Sequence, residues 1–289
     1  MVCVIGSGGP PRRRPPRVHR TTTFALSHFR THALSHLPVL LAVRPFLLAV
    51  ATLTPVRVPL RGAAAPEELR AATAFYPLVG LLVGALPALA LLLPLPPVPV
   101  ATAALAAWVL ATGARHLAGW ADCCDAAFAP PLASAAATRE RRLGILRDPR
   151  LGAPGVVGIG LLLLAKWTAL VYATPIAPLL AAPVARWAMV HALRAHPAAR
   201  VDATGAAVAG HGRLWTATGV LMAVVLPLVG TSGDPLRLAG VVIAGAAAAL
   251  LAGEWLSRRF GGVSGAVCGA LAEAAELAAL WVFVPWGYA

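Results

Sequence analysis

An all-α fold that crosses a membrane several times is what this sequence predicts, and three observations predict it. Hydrophobic residues make up 59 % of the 289 and the mean hydropathy is +0.77, whereas soluble domains hold roughly 45–50 % apolar residues. Charged residues contribute only 12 %, about half the usual share. The apolar residues also fall into repeated stretches close to the ~20 residues a helix needs to cross a bilayer, parted by short loops that carry arginines. No stretch is long and polar enough for a soluble domain, so a single membrane domain is expected.

Taken in order, residues 1–43 read as a disordered basic arm. They hold Arg12, Arg13, Arg14, Arg17, Arg20 and Arg30 with no acid, after a Gly/Pro-rich start that cannot bury a core. No apolar core followed by a small-residue cleavage site stands out there, and a start set too far upstream is an equal reading. The membrane domain then runs over 44–289. Its first segment, Phe46 to Val58, is short, broken by Pro55 and bounded by Pro59, which suits an interfacial or re-entrant segment. About seven spans follow, at 74–96, 100–117, 155–174, 177–193, 214–231, 239–256 and 267–284. Threaded up and down, they put Arg57, Arg61, Arg70, Arg115, Arg139, Arg141, Arg142, Arg147, Arg150, Arg194, Arg200, Arg213, Arg258 and Arg259 on one side and Arg237 alone on the other. The positive-inside bias makes the first side cytoplasmic. Trp167, Trp187, Trp215, Trp255, Trp281 and Trp286 lie in or near spans, as an aromatic belt and core require.

The formal charge of +13 does not indicate a nucleic-acid partner, because Lys166 is the sole lysine and six arginines sit in the arm. Cys3, Cys123, Cys124 and Cys268 show no CxxC or Cys/His ligand spacing. They read as small buried hydrophobes, with neither a disulfide framework nor a zinc site.

Chemistry is expected where the rare acids cluster. Only eleven Asp and Glu occur, and a carboxylate at membrane depth costs a few kcal/mol unless a cation or partner offsets it. Asp122 and Asp125 are three apart, hence on one helical face with Ala118 a further turn back. Magnesium is commonly held by one or two carboxylates together with waters and substrate phosphates, so the pair can anchor a metal–diphosphate; pairing with nearby arginines is the alternative. Arg139, Arg141, Arg142, Arg147 and Arg150 follow on the same side, and guanidinium groups suit bidentate contacts to phosphate. Gly261, Gly265 and Gly269 form two GxxxG steps around Ser264, which fits helix packing or the close approach of a phosphate. Glu273 and Glu276 repeat the spacing of the aspartates inside an apolar segment. They read either as metal ligands or as partners of Lys166 or Arg186. His116, His191 and His196 could serve as acid–base groups or ligands, but without a spaced partner histidines are more often interfacial or structural.

Six segments taken together resemble the cobalamin synthase family, the adenosylcobinamide-GDP ribazoletransferases, integral membrane enzymes of vitamin B12 assembly. They are Phe46 to Pro59, Ala74 to Gly84, His116 to Asp125, Arg139 to Gly155, Ala185 to Val190 and Gly261 to Glu276, in the family's order and spanning about residues 44–284. The resemblance implies that α-ribazole, or its 5′-phosphate, attacks the diphosphate of adenosylcobinamide-GDP, giving adenosylcobalamin or its phosphate and GMP. It implies magnesium as cofactor, a multi-pass protein of the cell (inner) membrane with its site on the cytoplasmic face, and leaves an oligomer open. With the residue reading, it assigns catalysis to Asp122, Asp125 and His116, and metal binding to Asp122, Asp125, Glu273 and Glu276. Substrate binding goes to Arg139, Arg141, Arg142, Arg147, Arg150, Arg186, Ser264 and Gly265. Two positions depart from the family pattern: Ala118 and Ala266 stand where aspartate is expected. That departure supports an alternative, a corrinoid-binding membrane scaffold with impaired catalysis. A membrane phosphotransferase acting on a CDP-linked alcohol ranks last, because its longer aspartate pattern is missing.

Overall fold

The computed structural model describes residues 37–60, 62–199, 208–230 and 234–285. The basic arm through Arg30, Arg61, Arg200, Cys3 and Trp286 lie outside the described residues. From Val43 onward the chain forms one compact unit, and among the described residues its regular secondary structure is helical apart from one isolated bridge between Ala198 and Val263.

Helix α1 (Leu37–Leu53) ends just before Pro55. Helix α2 (Pro66–Ala72) starts on a proline, and Glu68 accepts a 2.9 Å bond from the Ala65 amide, so the first turn is capped and its acids face the positive end of the dipole. A 3-10 turn, Thr73–Phe75, passes directly into α3 (Tyr76–Ala90). Helix α4 (Pro97–Thr112) likewise begins on proline and ends at Gly113, φ 59°. Ala114, at φ 57°, is also left-handed, and α5 (Arg115–Phe128) leaves at 87° to α4. The expected span 100–117 is therefore broken at 113–114. Apolar composition runs on through the turn and hides it; Gly113 supplies the conformation that ends the helix.

Helix α6 (Ala135–Ile145) is capped by Ser134, whose hydroxyl accepts from the Ala137 amide at 3.1 Å. Helices α7 (Ala153–Tyr172), α8 (Ile176–Ala195), α9 (Leu214–Gly230), α10 (Pro235–Phe260) and α11 (Gly265–Trp281) complete the bundle. Among the described residues, Pro66–Ala90, α7, α8 and α10 are long and apolar enough to cross a membrane, giving four candidate spans, or five if the bent pair α4–α5 counts as one. Two of the seven expected spans, α9 and α11, are helices of only seventeen residues.

The core is built around α8, which packs against α3, α9, α10 and α11. Close approach depends on glycine: a Cβ at Gly80 would lie 2.7 Å from the Ala182 carbonyl oxygen, and one at Gly119 would lie 2.6 Å from that of Ala266. The second contact seats α5 against α11. Cys123 and Cys268 are buried free thiols, as expected, whereas Cys124, also free, is only half-buried.

Candidate active site

Asp125 and Asp122 lie one turn apart on α5 but have different surroundings. The Asp125 carboxylate accepts the Gly152 amide at 2.8 Å and the Gly155 amide at 2.7 Å. It thereby caps the first turn of α7 from a neighbouring helix, where unpaired amides and the dipole favour a negative charge. Glycine allows both contacts as they stand, since a Cβ would come within 2.6 Å of the carboxylate at Gly152 and 2.5 Å at Gly155 and displace it. Asp122 makes no hydrogen bond or ion pair among the described residues, and it lines an open cleft of about 530 Å³.

The other wall of that cleft is the segment Leu146–Leu151. There Asp148 is gripped by Arg150, whose Nε and Nη2 donate at 2.9 and 2.6 Å while the Arg150 amide donates at 3.0 Å. Those bonds hold the Asp148 carboxyl down at about 2, so it stays ionised at ordinary pH. Arg147 shares the wall, and Ala118 completes the α5 side. Asp148 is the residue that sequence reasoning missed. It lies in the arginine-rich stretch from Arg139 to Arg150, where the basic residues mask it, although any acid in so acid-poor a chain is a signal.

The five arginines of that stretch divide. Arg147 and Arg150 face Asp122, whereas Arg139 and Arg142 line a separate cleft with Arg258 and Arg259. Arg139 also donates to the Phe260 and Gly261 carbonyls, each at 3.1 Å, closing the end of α10. Arg141 reaches the Pro130 carbonyl at 3.3 Å.

Glu273 and Glu276, expected as metal ligands, belong to a different construction. Lys166 Nζ lies 2.5 Å from a carboxylate oxygen of each, and Arg186 donates to the other oxygen of Glu276. Arg186 also approaches His116 Nδ1 at 3.2 Å; a guanidinium can only donate, so Nδ1 accepts and the imidazole proton is on Nε2. All five side chains are buried, and two carboxylates balance two cations. This corrects the metal assignment of both glutamates, because an unpaired charge in an apolar bundle would be too costly and the cations satisfy them. Arg186, expected at the substrate, and His116, expected in catalysis, are members of the same buried network. Ser264 caps α11 through a 3.3 Å bond from the Val267 amide, and neither it nor Gly265 lines the two clefts. Among the described residues no three His, Cys, Asp or Glu side chains cluster as a metal cage.

These features define an all-α membrane protein with an open cleft in which one uncommitted carboxylate meets a carboxylate–arginine pair, a chemistry suited to phosphate and a divalent cation. Residues 45–284 match the family described as cobalamin-5-phosphate synthase, and the chain belongs to that family. It is similar to an adenosylcobinamide-GDP ribazoletransferase of Ralstonia nicotianae, 36 % identical over 258 residues that cover 85 % of this chain and 96 % of that one. One from Deinococcus radiodurans is 38 % identical, covering 83 % and 85 %. One from Pseudomonas putida is 39 % identical, covering 81 % and 95 %. No solved structure matches the chain.

Proposed function

We propose that this chain joins adenosylcobinamide-GDP to α-ribazole or its 5′-phosphate, releasing GMP, and that the reaction takes place in the Asp122 cleft. The observation that carries the reading is the facing of Asp122 with Arg147, Asp148 and Arg150 across one cavity. A ribazole hydroxyl adds to the phosphorus that bears the cobinamide, the bond from that phosphorus to the bridging oxygen breaks, and GMP leaves with that oxygen. The hydroxyl proton passes to water at the open mouth of the cleft. Arg147 and Arg150 attract the diphosphate and hold the charge that grows on the leaving phosphate.

The donor set fits magnesium bound jointly with a diphosphate: two carboxylates, Asp122 and Asp148, line the cleft, and magnesium keeps waters and substrate oxygens for its other positions. Once bound, the ion would neutralise charge on the diphosphate and polarise the attacked phosphorus. Asp125 orients α5 by its hold on α7. Ala118 lines the same cleft, so the departure there removes one carboxylate while two remain. The scaffold alternative is not favoured, because this acid–base wall is intact and the relatives above are named as transferases. The imbalance of arginines along α10, with Arg237 alone in its first turn against Arg258 and Arg259 in its last, supports a cytoplasmic face of the inner membrane for the Arg258–Arg259 end.

The experiment is turnover by the purified chain in detergent with adenosylcobinamide-GDP, α-ribazole or its 5′-phosphate, and magnesium. GMP and a cobalamin should form and should stop on chelation. Binding of the corrinoid without any GMP would refute the transferase reading.

A further inference from the structure

An arginine-lined cleft of about 690 Å³ lies apart from the one to which that chemistry is assigned. It lies between Thr138, Arg139 and Arg142 of α6 and Trp255, Arg258 and Arg259 at the end of α10, and it shares no lining residue with the Asp122 cleft. Four guanidinium groups converge there, and the acid beside them, Glu254, pairs with Arg258 at 2.6 Å on an exposed surface. The Nε atoms of Arg142 and Arg259 are buried without a hydrogen-bond partner. A buried donor left in that state is unfavourable until an acceptor arrives. Partial burial and the neighbouring Arg259 charge pull Arg142 below the usual guanidinium range, as expected where like charges adjoin without an anion.

The surroundings say where the anion comes from. Helix α10 is long and apolar enough to span, and these arginines occupy its last turn. In the turns just before them Leu251 is 75 % and Trp255 54 % exposed, and the Arg259 guanidinium stands 5.3 Å over the Trp255 ring. Phe128, beside the Ala127 carbonyl that Arg259 also contacts, is 76 % exposed. An aromatic residue and a basic pair at the end of a span are the composition of the interfacial zone, where lipid phosphates lie.

We propose that this cleft binds the phosphate of an acidic membrane lipid, with the acyl chains along Leu251 and Trp255. The phosphate oxygens supply the acceptors that Arg142 and Arg259 lack, and a net negative headgroup offsets the cluster. Helix α6 carries Arg139 and Arg142 and leads straight into the 146–151 wall of the first cleft, so a bound lipid braces that wall. The proposal does not depend on the transferase reading.

Native mass spectrometry of the full chain in neutral detergent tests it, with phosphatidylglycerol, phosphatidylcholine and GMP as probes. Phosphatidylglycerol should bind at least tenfold more tightly than phosphatidylcholine, R142Q/R259Q should lose that preference, and millimolar GMP should not displace the lipid. Equal binding of the two lipids, an unchanged double variant, or displacement by GMP would overturn the proposal, the last by making this a soluble nucleotide site. Should the double variant not fold, R142Q alone, which removes one of two adjoining like charges, must weaken phosphatidylglycerol at least threefold; unchanged affinity there also overturns it.

Discussion

The two acidic regions of this molecule use the same chemistry for opposite ends. At the centre of the bundle, Glu273 and Glu276 are saturated by Lys166 and Arg186 and all four side chains are buried. At the rim, Asp122 has no such partner and opens into a cavity. A carboxylate in an apolar chain is thus not by itself a functional signal: whether a cation of the same chain already neutralises it decides between structure and chemistry.

Breaking the central region should have the largest effect. Glu276→Leu leaves Lys166 with one partner and Arg186 with none among the acids, and removing one member of a buried pair typically costs about 3–5 kcal/mol. Thermal unfolding in detergent should show it as a large fall in midpoint or as loss of folded protein. A stable Glu276→Leu variant would abolish the contrast. Asp122→Asn should do the reverse. Turnover is expected to fall on the order of 10²–10³-fold, the scale seen when one preorganised group facing a developing charge is removed, while the unfolding midpoint stays put; steady-state GMP release reads the first and a melt the second.

Asp125→Asn sits between these poles. It keeps one acceptor for the Gly152 and Gly155 amides but loses the charge that both contact, and bonds to charged groups are worth about 1.5–3 kcal/mol. The expected result is a moderate stability loss, seen in the same melt, with a smaller activity loss than Asp122→Asn. Smallest is Ala118→Asp, which adds a third carboxylate to the wall of the cleft. Apparent magnesium affinity should rise about tenfold, equivalent to ~1.4 kcal/mol, as read from the magnesium dependence of turnover. An unchanged dependence would mean that position 118 does not reach the ion.

Much of the fold was legible because the apolar runs and their punctuation are local. The runs read at 155–174, 177–193 and 239–256 coincide closely with α7, α8 and α10. The bend at Gly113–Ala114 escaped because hydropathy does not register a two-residue change of backbone hand. In the site, Asp122 and the arginines at 147 and 150 were visible from composition and spacing. The partners of Glu273 and Glu276 were named only as one of two readings, since Lys166 and Arg186 lie about ninety to one hundred and ten residues away in sequence. Asp148 was missed for a related reason: a loop becomes the wall of a cleft only when α6 and α7 are placed. The division of the basic stretch between two clefts is equally a property of that placement.

The hold of Asp125 on the amides of Gly152 and Gly155 bears on how this cleft can be moved or redesigned. The acidic motif of α5 is not a portable cassette. Grafted into another bundle without the Gly152–Gly155 turn, it would present two equivalent, mutually repelling carboxylates, and the distinction between the anchored one and the available one would vanish. The heritable unit is the motif together with a turn some thirty residues downstream, and a designer would have to transplant both.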